Sequence, residues 1–305
     1  MVASKKDMAA SVLARLLDQA KKTDDDYQTL VMRYLTERFL HRLGVSRFQD
    51  RFVLKGAVLL RVWSSQPYRA TRDLDLLHRG DGNPEAIRAE IEEILATEVA
   101  SDGVVFDPAS IRIEAIRPED DYSGLRTTIG VRCGTYRSTF QVDVGVADAV
   151  WPAPTRRPIP CLLGMPEPSV LTYSRDSVVA EKLEAIIVLG DRNSRIKDFF
   201  DVRYLAENFE FDRPTLSEAV RRTFRRRKTT LTDRAPHGLT EAYWDSPGRS
   251  VQVRAFARRA GLEVDSESVK RIPAVLRSFL LPILEDVRRG RQTEGTWPPR
   301  GPWKP

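Results

Sequence analysis

Three aspartates carry the chemistry most open to reading. Asp73 and Asp75 stand two apart in Arg72-Asp73-Leu74-Asp75-Leu76. In a strand, side chains at i and i+2 point to the same face, so the two carboxylates project together while Leu74 and Leu76 turn into a core. Carboxylates side by side repel one another, and a cation between them relieves this. Mg²⁺ takes hard oxygen ligands, commonly a few carboxylates together with substrate phosphates. A third acid, Asp143 in Gln141-Val142-Asp143-Val144, has the apolar–Asp–apolar pattern of a central strand and would complete a two-metal clamp. Ahead of the pair, Lys55-Gly56 offers a turn where backbone can approach a phosphate with no Cβ in the way.

A second constellation lies further along. In a helix, Arg195, Asp198 and Asp201 fall three apart along one stripe, with Ile196, Phe199 and Phe200 on the adjoining face. Lys182 sits among Val178, Val179, Leu183, Ile186 and Ile187, so it either snorkels or points into a cleft. Two readings stand side by side: a binding site, or a salt-bridge ladder of Arg195 with Asp198 and Lys197 with Asp201.

The third feature is charge. The chain has 305 residues and a net charge of +6. Between Phe211 and Ala260 stand 12 basic residues against 5 acidic ones. Arg221, Arg222, Arg225 and Arg226 recur at helical spacing, and Arg254–Arg259 forms a second basic segment. Such asymmetry points to a polyanionic partner or to a solvated helix face.

Composition narrows the classes. With 41% hydrophobic and 30% charged residues the chain reads as globular rather than disordered. Its apolar runs are too short to span a bilayer, and Met1-Val-Ala-Ser-Lys-Lys-Asp7 has no apolar signal segment. Cys133 and Cys161 have no zinc or disulfide spacing, which fits a reducing cytoplasm. The histidines, His41, His78 and His237, are scattered, and no Walker loop, Rossmann glycine fingerprint or nucleophile elbow occurs. Trp297 and Trp303 could stack on a base or dock on the protein's own surface.

The elements that must position these residues follow from periodicity. Two helices fill the first fifty residues, with Asp24-Asp25-Asp26 as a cap and Gly44 as a stop. Strands are predicted at Leu74–Leu77 and Ile111–Ile116, and an antiparallel pair at Leu125–Arg132 and Ser138–Val146 turns around Gly134. A helix at Pro84–Val99 interrupts them, giving an α/β or α+β core with a mixed sheet. After the Pro-rich stretch Trp151–Pro160 the pattern is helical at Ser177–Leu189, Arg195–Asn208, Thr215–Arg227, Ser250–Ala260 and Val269–Arg288. The expected division is 1–155 for the N-terminal helices and core, 156–289 for a helical C-terminal domain, and 290–305 for an irregular tail.

The glycine turn, the Asp-hydrophobic-Asp strand and the later single-Asp strand resemble the DNA polymerase β-type nucleotidyltransferase superfamily. The fuller pattern resembles its AbiEii/AbiGii (MenT-like) toxin branch, from Arg38-Phe39-Leu40-His41-Arg42-Leu43 to Asp201. The matching stretches are Phe52-Val53-Leu54-Lys55-Gly56, Arg69-Ala70-Thr71-Arg72-Asp73-Leu74-Asp75-Leu76, Val179-Ala180-Glu181-Lys182-Leu183-Glu184-Ala185 and Ser194-Arg195-Ile196-Lys197-Asp198-Phe199-Phe200-Asp201-Val202. One departure is Ala57, where the superfamily usually has Gly or Ser, so a hydroxyl contact to phosphate is missing.

The resemblance implies a polymerase β-like nucleotidyltransferase core of α+β class plus a C-terminal helical domain. It implies a Mg²⁺-dependent nucleotidyltransferase toxin, with two ions on Asp73, Asp75 and Asp143. NTP contacts would come from Lys55, Gly56, Arg69, Lys182, Arg195, Lys197 and Asp201, with Lys182 on the triphosphate and Asp198 orienting the nucleotide or binding the acceptor. RNA, at the 3′ end of tRNA, would be the acceptor, translation the process blocked, and a cognate antitoxin the protein partner. Arg221, Arg222, Arg225 and Arg226 would meet nucleic-acid phosphates. Rival readings are nucleotidyl or phosphoryl transfer to a protein or small molecule, and a non-enzymatic binding module.

Overall fold

The computed structural model describes residues 5–64, 69, 71, 73–116 and 124–305, with side chains except at 5–7, 192 and 266. Two compact units emerge: Met1–Ala147 with Thr155–Thr172, and Asp148–Pro154 with Tyr173–Pro305. The Pro-rich stretch is thus divided between them, and the chain returns to the first unit at Thr155 before leaving at Tyr173.

The first unit opens with α1 (Lys5–Thr23) and α2 (Tyr27–Val45). Asp26 caps α2, its carboxylate accepting the Thr29 N–H at 2.8 Å. Gly44 does not stop the helix as expected; α2 runs on to Val45 and is capped by Ser46. The glycine answers to packing instead, because a Cβ there would stand 2.7 Å from the Ser169 carbonyl oxygen. The chain continues through β1 (Phe52–Lys55), a 3₁₀ turn at Gly56–Val58, α3 (Leu59–Trp63), β2 (Leu74–His78), α4 (Pro84–Ala96), β3 (Val104–Ile116), β4 (Gly124–Cys133), β5 (Tyr136–Val146), β6 (Thr155–Pro158) and β7 (Ser169–Thr172).

The seven strands form one mixed sheet in the order β3-β4-β5-β2-β1-β7-β6. β2 runs parallel to β5 and antiparallel to β1, while β1 runs parallel to β7. Leu74, Leu76, Val142 and Val144 are buried on the core side, as the apolar–Asp–apolar pattern predicts. Phe39 of α2 meets Phe106 and Phe140 on the sheet, with ring centroids 6.1 and 5.3 Å away. Periodicity gave no hint of β6, which contains Pro158. It lies at the sheet's edge, where a missing N–H costs no ladder bond.

The second unit is helical: α5 (Arg175–Leu189), α6 (Ile196–Asn208), α7 (Arg213–Arg226), α8 (Glu241–Trp244), α9 (Arg249–Ala260) and α10 (Ser266–Arg289). Two short strands, β8 (Phe211–Asp212) and β9 (Thr296–Trp297), pair with each other. Most of the C-terminal tail is without regular structure, as expected, and it is docked on the second unit. Trp297 is buried and donates its indole N–H to the Ala206 carbonyl at 2.7 Å, while Trp303 stacks on Phe279. Both indoles serve the fold, the self-docking alternative.

Candidate functional site

Four charged residues form one row across the middle of the sheet. Lys55 on β1 is opposite Asp75 on β2, Asp75 is opposite Asp143 on β5, and Asp143 is opposite Arg126 on β4. Residues directly opposite on neighbouring strands share a face. The row reads plus, minus, minus, plus, so two carboxylates sit together between two cations. Asp73 lies just before β2 and is exposed. Ala70 and Arg72 of the same motif fall outside the described residues; Arg69 is half-buried.

Gly56 has φ of +72°, a conformation that costs an L side chain about 1–2 kcal/mol. A Cβ there would also overlap the Asp75 carboxylate. The turn and the acid are thus fitted to each other, and only glycine allows the approach. Lys55 stands at the last position of β1, directly before the turn.

Arg126 is the residue that the motif reading passes over. Its Nε and Nη2 donate to the two oxygens of Asp143 at 3.0 and 2.8 Å, and the Gln141 amide donates to Oδ1 at 3.1 Å. The hydrogen bond to Asp143, reinforced by the charges of Asp143 and Asp73, raises the Arg126 guanidinium above its ordinary value. A signal existed in the sequence. A hairpin turning at Gly134 and Thr135 puts Arg126 opposite Asp143 by symmetry, as the observed register has it.

Three carboxylates with hard oxygens, two of them in register beside a glycine turn, suit Mg²⁺ in kind and position. Among the described residues, however, no three His, Cys, Asp or Glu side chains gather closely enough to hold an ion.

In the second unit, Lys182 of α5 is buried between two acids of α6, with Nζ 2.7 Å from Asp198 Oδ1 and 2.8 Å from Asp201 Oδ2. Both aspartates are fully buried. Arg195 Nε comes within 2.7 Å of Asp198 Oδ2, at an angle that makes an ion pair but no aligned hydrogen bond. Burial pushes the Asp198 carboxyl up, yet the charges of Lys182 and Arg195 outweigh it and hold the group below its ordinary value. Lys197, expected to pair with Asp201, is exposed instead, and Asp201 takes Lys182 as its partner. The turn before α6 is pinned by the Asn193 carbonyl, which accepts from Arg249 at 2.8 Å and from the Tyr243 hydroxyl at 2.9 Å.

The other charges of α5 are engaged too. Glu184 accepts from Arg227 at 2.8 Å, and Asp148 accepts from the same guanidinium at 3.0 Å. The Tyr173 hydroxyl donates to Glu181 at 3.0 Å. Glu181, Lys182 and Glu184 stand in an otherwise apolar helix because each has a counter-group.

The basic helices divide sharply. On α7, Arg221 and Arg222 both bond Glu218, and Arg222 also lies 4.0 Å over the Trp151 ring. Arg225 and Arg226 are exposed. On α9, Arg249 is buried, whereas Arg254, Arg258 and Arg259 are exposed and have no ion-pair partner among the described residues. His78, at the end of β2, is buried and bonded to Glu90 at 2.9 Å.

A mixed sheet with paired acids in register beside a glycine turn is the frame of a nucleotidyltransferase. The chain belongs to the family described as nucleotidyl transferase AbiEii toxin, type IV toxin–antitoxin system, which matches residues 38–277. It is therefore a nucleotidyltransferase of toxin–antitoxin type. Two solved chains from Helicobacter pylori are similar in structure. JHP933 is 12% identical with a TM-score of 0.45, over 87% of this chain and 94% of that one. The other, provisionally described as a nucleotidyltransferase, is 12% identical with a TM-score of 0.44, over 87% and 96%. No curated protein matches the sequence significantly. Among the described residues no helix is long and apolar enough to cross a membrane.

Proposed function

We propose that this enzyme transfers a nucleoside monophosphate from an NTP to a hydroxyl of RNA, at the 3′ end of tRNA, in a Mg²⁺-dependent reaction that releases pyrophosphate and blocks translation. The observation that carries the reading is the register of Asp75 with Asp143 beside the Gly56 turn. Asp73, Asp75 and Asp143 would hold two Mg²⁺ ions, which supply charge neutralisation at the phosphates and a lowered pKa at the attacking hydroxyl.

The chain's own residues do the rest. Backbone N–H groups of the turn after Gly56, with Lys55 and Arg69, receive phosphate oxygens, and no hydroxyl at Ala57 assists them. Asp143 accepts the proton of the attacking hydroxyl or orients it. Arg195 and Lys197, which reach solvent, take phosphate contacts. Lys182, Asp198 and Asp201 act as an ion-paired block that fixes the start of α6. RNA phosphates meet Arg225 and Arg226 on α7 and the three exposed arginines of α9. A cognate antitoxin opposes the activity in the cytoplasm.

The test is incubation of purified protein with Mg²⁺, each labelled NTP in turn, and total RNA. Label in RNA, lost with chelator and in Asp75→Asn, is the expected result. Label confined to protein would move the acceptor to another class, and no label under any NTP would overturn the reading.

A further inference from the structure

We infer that Arg126 is a built-in cation that competes with the metal ion for Asp143, so that a metal ion binds Asp143 only as Arg126 lets go. The inference rests on the proposed metal-dependent reading of this site. Two observations carry it. Both Asp143 oxygens are taken by one planar guanidinium in a two-point clamp, and Asp143 is the register partner of Asp75, the acid with which it would share an ion. Arg126 is 44% exposed and Asp143 19%, so the guanidinium can swing into solvent without opening the core.

The geometry also explains why the clamp is arginine on β4 rather than a core residue. Leu125, before it, is buried, and Arg126 projects from the opposite face of the strand. Gln141, two residues before Asp143 on β5, donates to the same carboxylate. Asp143 is therefore held by neighbours on both strands of the hairpin. An exposed pair of this kind restrains a competing ligand only modestly, which suits a contact that must yield when metal and nucleotide arrive.

Mn²⁺ titration of the full chain, followed by electron paramagnetic resonance without nucleotide, tests this. Arg126→Gln should bind Mn²⁺ about two- to fivefold more tightly than the native chain. Adding Asp143→Asn to Arg126→Gln should erase the gain. Arg126→Ala, measured alongside, should shift in the same direction. Unchanged or weaker Mn²⁺ binding in both arginine variants overturns the role given to Arg126. If labelled NTP still enters RNA on those preparations, the proposed function survives that failure. Should neither the native chain nor the variants bind Mn²⁺, the competition is overturned, and entry of labelled NTP into RNA decides the proposed function separately.

Discussion

The carboxylate of Asp75 occupies the space that a side chain on Gly56 would need. Gly56→Ala must therefore take on a positive φ, at about 1–2 kcal/mol, and also push Asp75 off its position on β2. The expected result is a lower denaturant midpoint together with weaker Mn²⁺ binding in the fraction that remains folded. A variant with native metal affinity would mean that turn and acid are not fitted as described.

Asp75→Asn keeps the shape of the site and removes one charge from the two-acid pair. Folding should survive, because Asp75 lies on the face opposite Leu74 and Leu76 and is not part of the buried core. Nucleotidyl transfer should fall by roughly 10³ or more, as loss of a metal-binding or charge-stabilising group does elsewhere. Single-turnover rates measure this directly. Native turnover in both Asp73→Ala and Asp75→Ala would remove the catalytic assignment.

Most of the sheet centre was legible because its residues obey two short-range rules. Apolar neighbours flanking Asp75 and Asp143 mark strands with one wet face, and the lysine–glycine step marks the turn. Long-range pairing is what the motifs could not supply. Nothing local to Arg126 separates it from Arg132 or Arg137; only the hairpin register singles it out. Gly44 misled for a related reason, since its demand comes from Ser169, far away in the chain. The charged run in α5 read as a site because apolar neighbours make a lysine conspicuous. Its partners sit on α6, where sequence spacing suggested Lys197 as the mate of Asp201.

Lys182 separates a structural from a ligand-binding role through pH. The Asp198 carboxyl is depressed in the folded chain, so its stabilising contribution is present above the unfolded value near 3.8 and is lost as pH falls through the lower folded value. Native stability should therefore hold between pH 7 and 5 as far as this group is concerned. Lys182→Met takes from both buried carboxylates the one cation that they share. Stability should drop by about 3–5 kcal/mol at neutral pH. Burial would then raise Asp198 above its unfolded value, so stability should rise as pH is lowered from 7 to 5. Urea midpoints at the two pH values decide the matter. A melting profile identical to that of the native chain would return Lys182 to a purely phosphate-binding role.

The final prediction concerns which arginines meet RNA. Charge spacing pointed first at α7, but Arg221 and Arg222 are tied to Glu218, and Arg222 is also placed over Trp151. Helix α9 contains no acid; Arg254 and Arg258, one turn apart, are exposed without an ion-pair partner among the described residues. Groups already paired have less to gain from a phosphate than groups facing water alone. Each phosphate contact on a single strand contributes about −0.7 to the slope of log affinity against log salt. Replacing both Arg254 and Arg258 with Ala should flatten that slope by about 1.4, whereas Arg222→Ala should leave it nearly unchanged. Filter binding of a labelled RNA 3′ fragment across a salt series gives the slopes. A larger change from Arg222→Ala than from the α9 pair would reverse the assignment. If the α9 double variant keeps the native slope but loses its antitoxin, those arginines belong to the protein interface.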